Sequence, residues 1–390
     1  MNKKKILHGI VNIFVLPIVP VLFVLKYVLR IQFIRIRDGR IGHLAENTEL
    51  FLRRIELGIN KKKLKYIGIA SITPANKQLL SMIKRRILTI RIPQPKAIKY
   101  FLKILASYSI LNKWRLFYVL TFKSNEYYEF DNGKPALSFV EEEENKGKEI
   151  LKEIGVDKWF ICFHARDPCY LQDKYKGDTS YLHFRNNDIN NMIKAAEYIT
   201  EKGGYAIRMG AKVEKKLATK DPNVIDYASN YRSDFGDIYL PAKCKFFLGD
   251  GCGINQIAQI FNLPVAWANV APIMYPPFSK RDLFIPKKIW SIEKNRLLTF
   301  KEIIDSEIFE YFDTKLYEKA KLKLIENTPE DILNITKEMY ERLNGTWVTT
   351  KEDEELQKKY KSLIKPGQHC YGFTAKVGAI FLRENKDLLK

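Results

Sequence analysis

Two short stretches of the 390-residue chain hold the residue types that handle a charged ligand. His164-Ala165-Arg166-Asp167 ends the apolar run Trp159–Phe163, and Gly249-Asp250-Gly251-Cys252-Gly253-Ile254-Asn255-Gln256 ends the run Phe246–Leu248. In extended backbone, residues i and i+2 point the same way. His164 and Arg166 can therefore face one phosphate-sized anion, with Arg166 as a forked donor. Asp167 can orient Arg166 or accept from a sugar hydroxyl; a local Arg–Asp pair without a ligand fits equally. The second stretch is a small-residue turn predicted to enter a helix over residues 253–262. Unpaired N–H groups at a helix start attract phosphate, and glycines admit it closely; a plain tight turn is the alternative. Arg208 ends the next expected strand, Tyr205–Arg208, and is expected to converge on the same place.

Other anion chemistries fit less well. The spacing Gly249-x-Gly251-x-Gly253 is not G-x-G-x-x-G, and no Asp or Glu lies between 251 and 281 to hold a ribose, which counts against a nicotinamide site. G-x-x-x-x-G-K-[ST] is absent. Five cysteines without a C-x-x-C pair support neither a zinc ribbon nor a disulfide framework, and a reducing compartment fits.

The elements that must position these residues alternate. A strand over residues 31–36, the turn Asp38-Gly39-Arg40-Ile41-Gly42-His43 and a helix over 44–54 open one α/β region. A strand at 66–72 and helices at 76–87 and 95–111 continue it. From 157 onward, strands at 159–163, 205–208, 224–227, 245–248 and 264–268 alternate with helices, which predicts a parallel doubly wound sheet. Ligands bind such sheets at the carboxyl ends of strands. Expected boundaries are an anchor at 1–26, an acceptor-side domain at 27–150, a second domain at 151–314 and a helical tail at 315–390.

Charge is uneven. Residues 1–100 hold 21 Lys/Arg against 4 Asp/Glu, so most of the +21 excess sits in the first quarter. Residues 6–25 are twenty uncharged residues, long enough to span a bilayer. Pro17 and Pro20 break a straight helix, and Lys3–Lys5, Lys26 and Arg30 make both flanks positive, unlike a simple crossing. An interfacial or re-entrant anchor on an anionic, cytoplasmic-face inner-membrane surface is the expectation, peripheral or monotopic; a single span and a helix of the soluble core are the alternatives. Nucleic-acid binding would pair cations with stacking aromatics and no apolar anchor, so no nucleic acid is expected.

The blocks FHARD, HFRNNDI, IRMG, VIDYA, RSDFGDIYLPAKCKFFLGDGCG and PPFSKRDLFIPK, over about 157–300, resemble in order and spacing a family of bacterial glycosyltransferases distantly similar to fucosyltransferases. Two departures stand out. Those fucosyltransferases have two adjacent arginines after the histidine, where this chain has Asp167, and their turn is rich in serine. The resemblance implies a GT-B fold, two facing Rossmann-like domains with a nucleotide-sugar donor on the second, preceded by the anchor and followed by the tail. It implies that His164, Arg166 and Arg208 serve the diphosphate and that Gly251, Cys252 and Gly253 approach its phosphates. Ser233, Asp234 and Asp237 would lie near the nucleoside, Asp237 equally as a brace of its helix. Arg281 would close over the donor from the loop after the last strand; an ion pair with Asp282 is the alternative. On the acceptor side, His43 is a candidate general base and Arg40 a contact for a glycan or lipid-linked acceptor; packing and a solvated surface are their respective alternatives. Arg166 and His43 are thus the catalytic candidates. No D-x-D occurs, so no metal and no cofactor beyond the donor substrate is expected, and leaving-group charge falls to Arg166, Arg208 and the turn. A catalytically inactive scaffold of a polysaccharide assembly complex is a further alternative.

Overall fold

The structure, a computed structural model, describes residues 15–60, 64–108, 111, 113–120, 126–174 and 177–390. These fall into two compact units, one up to residue 122 with 135–139 and one of 123–134 with 140–390.

The first unit is built on a parallel sheet of β1 (Ile31–Arg35), β2 (Lys65–Ser71), β3 (Leu88–Ile92) and β4 (Phe117–Val119) in the order β3-β2-β1-β4. β1 alternates buried and half-buried positions. Helix Lys77–Lys84 returns from β2 to β3; Asn76 caps it by accepting from the Leu79 N–H at 2.8 Å. Residues 1–14 of the expected anchor lie outside the described residues. The rest forms helix Ile18–Tyr27, of ten residues and so about 15 Å long, half a hydrocarbon core. Among the described residues no helix is long and apolar enough to cross a membrane. One side of this helix is core: Val15 and Leu22 pack with Leu102, Leu105, Leu116 and Phe117.

The second unit holds β5 (Phe160–Phe163), β6 (Tyr205–Arg208), β7 (Val224–Ile225), β8 (Phe247–Gly249), β9 (Val265–Val270) and β10 (Leu283–Pro286). A small antiparallel sheet follows, β11 (Lys288–Ser291), β12 (Arg296–Leu297) and β13 (Leu322–Ile325), and then β14 (Lys376–Val377). The main sheet runs β14-β10-β9-β8-β5-β6-β7, parallel throughout. Counted from β5, that is the 3-2-1-4-5-6 order of a doubly wound dinucleotide fold, extended by one strand. Its strands FICF, FLG and VAWANV are apolar without alternation because helices cover both faces.

The segment 315–390 departs from the expected helical tail. It carries helices Pro329–Asn344 and Lys351–Ser362, yet it also supplies β13 and the edge strand β14. Helix Pro329–Asn344 starts at a reciprocal cap, Thr328 with Asp331, and stops at Gly345, whose φ of 73° suits glycine. A strand of two residues such as β14 leaves no periodic signal to read.

Candidate functional site

In the second unit, strand order reverses between β5 and β8, and the crevice for a ligand opens at their carboxyl ends. Both opening motifs lie there, and a buried carboxylate joins them. Asp250 accepts from the Arg166 backbone N–H at 2.7 Å and from the Asn187 amide at 2.6 Å. Asn187 N–H in turn donates to the Arg166 carbonyl at 2.9 Å. His164 bonds the Met209 carbonyl through Nδ1 at 2.8 Å, which orients its ring.

The glycine turn works through close packing. A Cβ on Gly249 would sit 2.6 Å from the Asn255 side chain, which is fully buried there, donates to the Asp250 carbonyl and accepts from Cys252 Sγ at 3.3 Å. A Cβ on Gly251 would meet only the Trp267 ring, at 3.7 Å. Burial pushes the Cys252 thiol well up, so it stays protonated. The helix beyond the turn is shorter than expected, Asn255–Ile260 rather than 253–262. Six residues make a weak dipole, and Gly253 lies in the turn before it. Phosphate recognition here would rest on the turn and its neighbours, not on a helix start.

Two cations that the sequence reading passed over belong to the same place, Lys287 near Arg166 and Arg185 at the glycine turn. The Lys287 ammonium, directly after β10, is buried and donates to the carbonyls of Phe184 at 3.1 Å and Asn186 at 3.0 Å. Burial lowers it to about 8; Glu326 and Asp250 act against this and Arg166 with it. Arg185 donates to the Gly251 carbonyl and lies 5.5 Å from the Phe312 ring. Both residues sit within the blocks HFRNNDI and PPFSKRDLFIPK; Arg185 ends a short helical turn, Ser180–Arg185, and Lys287 follows a strand that the sequence did not announce. A pocket of about 390 Å³ opens next to Ala165, lined among others by Asp167, His183, Asn187, Asp188, Lys215 and Glu326.

Several expected contacts fall elsewhere. Asp167 does not hold Arg166: its carboxylate accepts from the backbone N–H groups of Cys169 at 2.9 Å and Glu214 at 3.1 Å, tying two loops together. Arg208 is 1% exposed and pairs with Asp226 at 3.1 Å, bracing β6 against the end of β7. It ends β6 beside Phe163 of β5, with Nη1 held by Asp226 and Nε buried without a hydrogen-bond partner among the described residues. Arg281 lies at the wrong edge. It precedes β10 in a parallel sheet, so it stands at the amino ends of β9 and β10, where its Nε donates to Ser279 Oγ at 3.0 Å. Asp282 is not its partner but a buried acceptor for Val265 N–H at 3.1 Å and Ser279 N–H at 2.9 Å, and burial pushes it up to about 7. Ser233, Asp234 and Asp237 lie in one network after β7, at the start of helix Gly236–Lys243. Ser233 Oγ accepts from Gly236 N–H at 3.0 Å, and Arg232 pairs with Asp234 and Asp237, each at 2.8 Å. Burial pushes Asp237 up to about 7, with Arg232 opposing.

In the first unit the sheet also reverses, between β1 and β4. Here Arg37 Nη2 lies 3.4 Å from His43 Nε2 at the start of the turn His43–Asn47, and Leu44 N–H donates to the Arg40 carbonyl at 3.0 Å. Burial, then the neighbouring charge of Arg40, lower Arg37. Asp38 is buried and accepts from Ser71 N–H. Arg35 and Arg37 were not singled out by sequence, although they alternate with buried Ile34 and Ile36. Among the described residues no group of three or more His, Cys, Asp and Glu is gathered as a metal site would require.

No family model and no curated protein matches the chain. Among solved structures it aligns with the ADP-heptose lipopolysaccharide heptosyltransferase II of E. coli at TM-score 0.44 and 12% identity, over 80% of this chain and 99% of that one. A glycosyl transferase of family 9 from Veillonella parvula aligns at 0.39 and 11%, over 65% and 85%. The iron-containing dodecameric glycosyltransferase TibC of enterotoxigenic E. coli aligns at 0.35 and 10%, over 64% and 61%. Likeness at this level leaves the functional reading to the chain's own residues.

Proposed function

We propose that the chain is a metal-independent glycosyltransferase that takes a sugar from a nucleoside-diphosphate donor to a membrane-associated glycan or lipid-linked acceptor in cell-surface polysaccharide synthesis. The observation that carries this is the meeting of Arg166 and the Gly249–Gly253 turn at Asp250, at the reversal point of a 3-2-1-4-5-6 sheet. A diphosphate needs positive charge and close backbone approach together. Arg166, Lys287 and Arg185 supply the first and the glycine turn the second. The adjoining pocket, rich in carboxylates and amides, suits the hydroxyls of a sugar or nucleoside. In the first unit, His43 and Arg40 are the candidates for taking a proton from an acceptor hydroxyl and holding an anionic acceptor; the charge repulsion around Arg37 favours an anion there. The lack of D-x-D favours a site without metal, so activity is expected to persist in EDTA.

The test is a thermal-shift screen with UDP, GDP, ADP and CMP. One nucleotide is expected to raise the unfolding temperature in step with its concentration. If none does at saturating concentration, the donor reading fails.

A further inference from the structure

We propose that the first unit docks on an anionic lipid bilayer through one composite face: the outer side of helix Ile18–Tyr27, the residues that follow it, and Trp114. This deepens the proposed function only in placing its membrane acceptor; the surface itself is argued from the first unit alone. Apart from Lys26 the helix is apolar all round. Ile18, Leu22 and Leu25, spaced four and three apart, face the core of the unit. The remaining arc holds Val21, Phe23, Val24, Tyr27 and Val28, and it is open to solvent, with Val21 57% and Val28 67% exposed. A helix apolar on both sides with one side uncovered expects a partner.

Aromatic and charged groups frame that arc. Phe23 packs against Tyr27 at 4.6 Å and Trp114 at 5.2 Å between ring centroids, and Trp114 is itself exposed. Lys26 donates to the Trp114 carbonyl at 2.7 Å and that of Arg115 at 3.0 Å, which fixes Trp114 beside the helix. Tyrosine and tryptophan favour the headgroup level of a bilayer. Arg30, Lys113 and Arg115 are exposed around this edge.

Negative charge is withdrawn from the surface of the unit. The sequence has no Asp or Glu from residue 57 to 125, and the unit has four in all. Asp38, Glu46 and Glu49 are buried, and exposed Glu56 pairs with Arg86 at 2.6 Å. Such a surface complements anionic headgroups. A second copy of this chain would bring the same positive rim against itself, and a nucleic acid would leave the apolar arc uncovered. Within the described residues the helix has ten residues, too few to cross by themselves, and its open apolar arc suits a place in the plane of the interface.

The experiment is co-sedimentation of the full chain with vesicles of phosphatidylcholine alone and of an equal mixture with phosphatidylglycerol. Wild type is expected to bind the mixed vesicles and to prefer them clearly. The double variant Val24→Asp, Val28→Asp, at exposed positions where folding is not at risk, is expected to lose about tenfold or more in apparent affinity; Lys113→Glu with Arg115→Glu is expected to abolish the preference for the mixed vesicles. Unchanged binding by the valine double variant overturns the proposal. So does equal binding of wild type to both vesicles, release of the bound chain by an oligonucleotide, or a wild-type dimer that the valine variant converts to monomer. No donor nucleotide enters the assay, and calorimetry with the nucleotide from the screen is expected to be unchanged in the valine variant. A failed donor reading therefore leaves this result standing, and the reverse.

Discussion

At the scale of single residues, the chemistry gathers around a carboxylate that the sequence left unremarked. H-A-R-D was legible because a basic pair after an apolar run is unusual. Asp250 was not, because an acid in a glycine turn reads as turn chemistry; only the fold shows that it accepts from Arg166. Arg208 and Arg281 have surroundings the sequence did not show, for a shared reason. An arginine near a strand end announces its charge but not whether it is buried against an acid, as Arg208 is, or stands at the amino edge, as Arg281 does. Arg166→Ala is expected to weaken nucleoside-diphosphate binding by about 1.5–3 kcal/mol, the range for a hydrogen bond to a charged group, with the fold retained; calorimetry reads it. His43→Ala should spare that binding and lower turnover instead. Lys287 gives a pH signature. Its folded value of about 8 lies below roughly 10.4 for a free lysine, so the folded chain releases this proton first. From about pH 8 to about 10.4 the unfolded chain binds more protons, and the contribution to stability therefore rises with pH. Denaturant unfolding should show wild type gaining on Lys287→Met across that window. Diphosphate affinity should fall over the same rise, since the site loses a positive charge.

At the scale of elements, the alternation of strands and helices was readable wherever a run was apolar and bounded by glycine or a polar loop. β5, β6, β8 and β9 fall within one or two residues of expectation. β3, β4 and β10 to β14 were missed; β10 follows a proline-rich loop and β14 is two residues long. Missing β10 is what placed Arg281 at the wrong edge and hid Lys287, the first residue past that strand. The glycine turn offers the sharpest test at this scale, because its glycines do different things. Gly249→Ala would drive a methyl into the Asn255 amide that holds the Asp250 carbonyl. Overpacking of this kind typically costs about 1–3 kcal/mol, so the variant should unfold at lower denaturant and bind donor poorly. Gly251→Ala meets only the face of Trp267 and should fold like wild type. Loss of diphosphate binding in Gly251→Ala without loss of stability would show that the phosphate passes directly over Gly251; equal stability of the two variants would refute the packing account of Gly249.

At the scale of the molecule, the two units differ in charge and in the residues they bring together. The first carries the basic excess and the apolar helix face; the second carries Arg166, Lys287 and the glycine turn. The sequence already showed this division in its charge, since the acids return only after residue 125. It did not show that the chain leaves the first unit at 122 and re-enters it for 135–139, because a five-residue excursion has no composition of its own. If donor binding belongs to the second unit alone, a nucleotide should stabilise that unit selectively. The five tryptophans allow this to be read. Trp114 lies in the first unit, whereas Trp159, Trp267, Trp290 and Trp347 lie in the second. Removing the Trp114 signal with Trp114→Phe leaves fluorescence that reports the second unit, and the difference from wild type reports the first. With nucleotide at about a hundred times its Kd, the second unit should gain about 2.7 kcal/mol by mass action, and its melting transition should move up with concentration. The transition seen through Trp114 should stay where it is. A nucleotide that shifts the Trp114 transition and leaves the other in place would put the donor on the first unit and overturn the assignment of Arg166, Asp250 and the glycine turn.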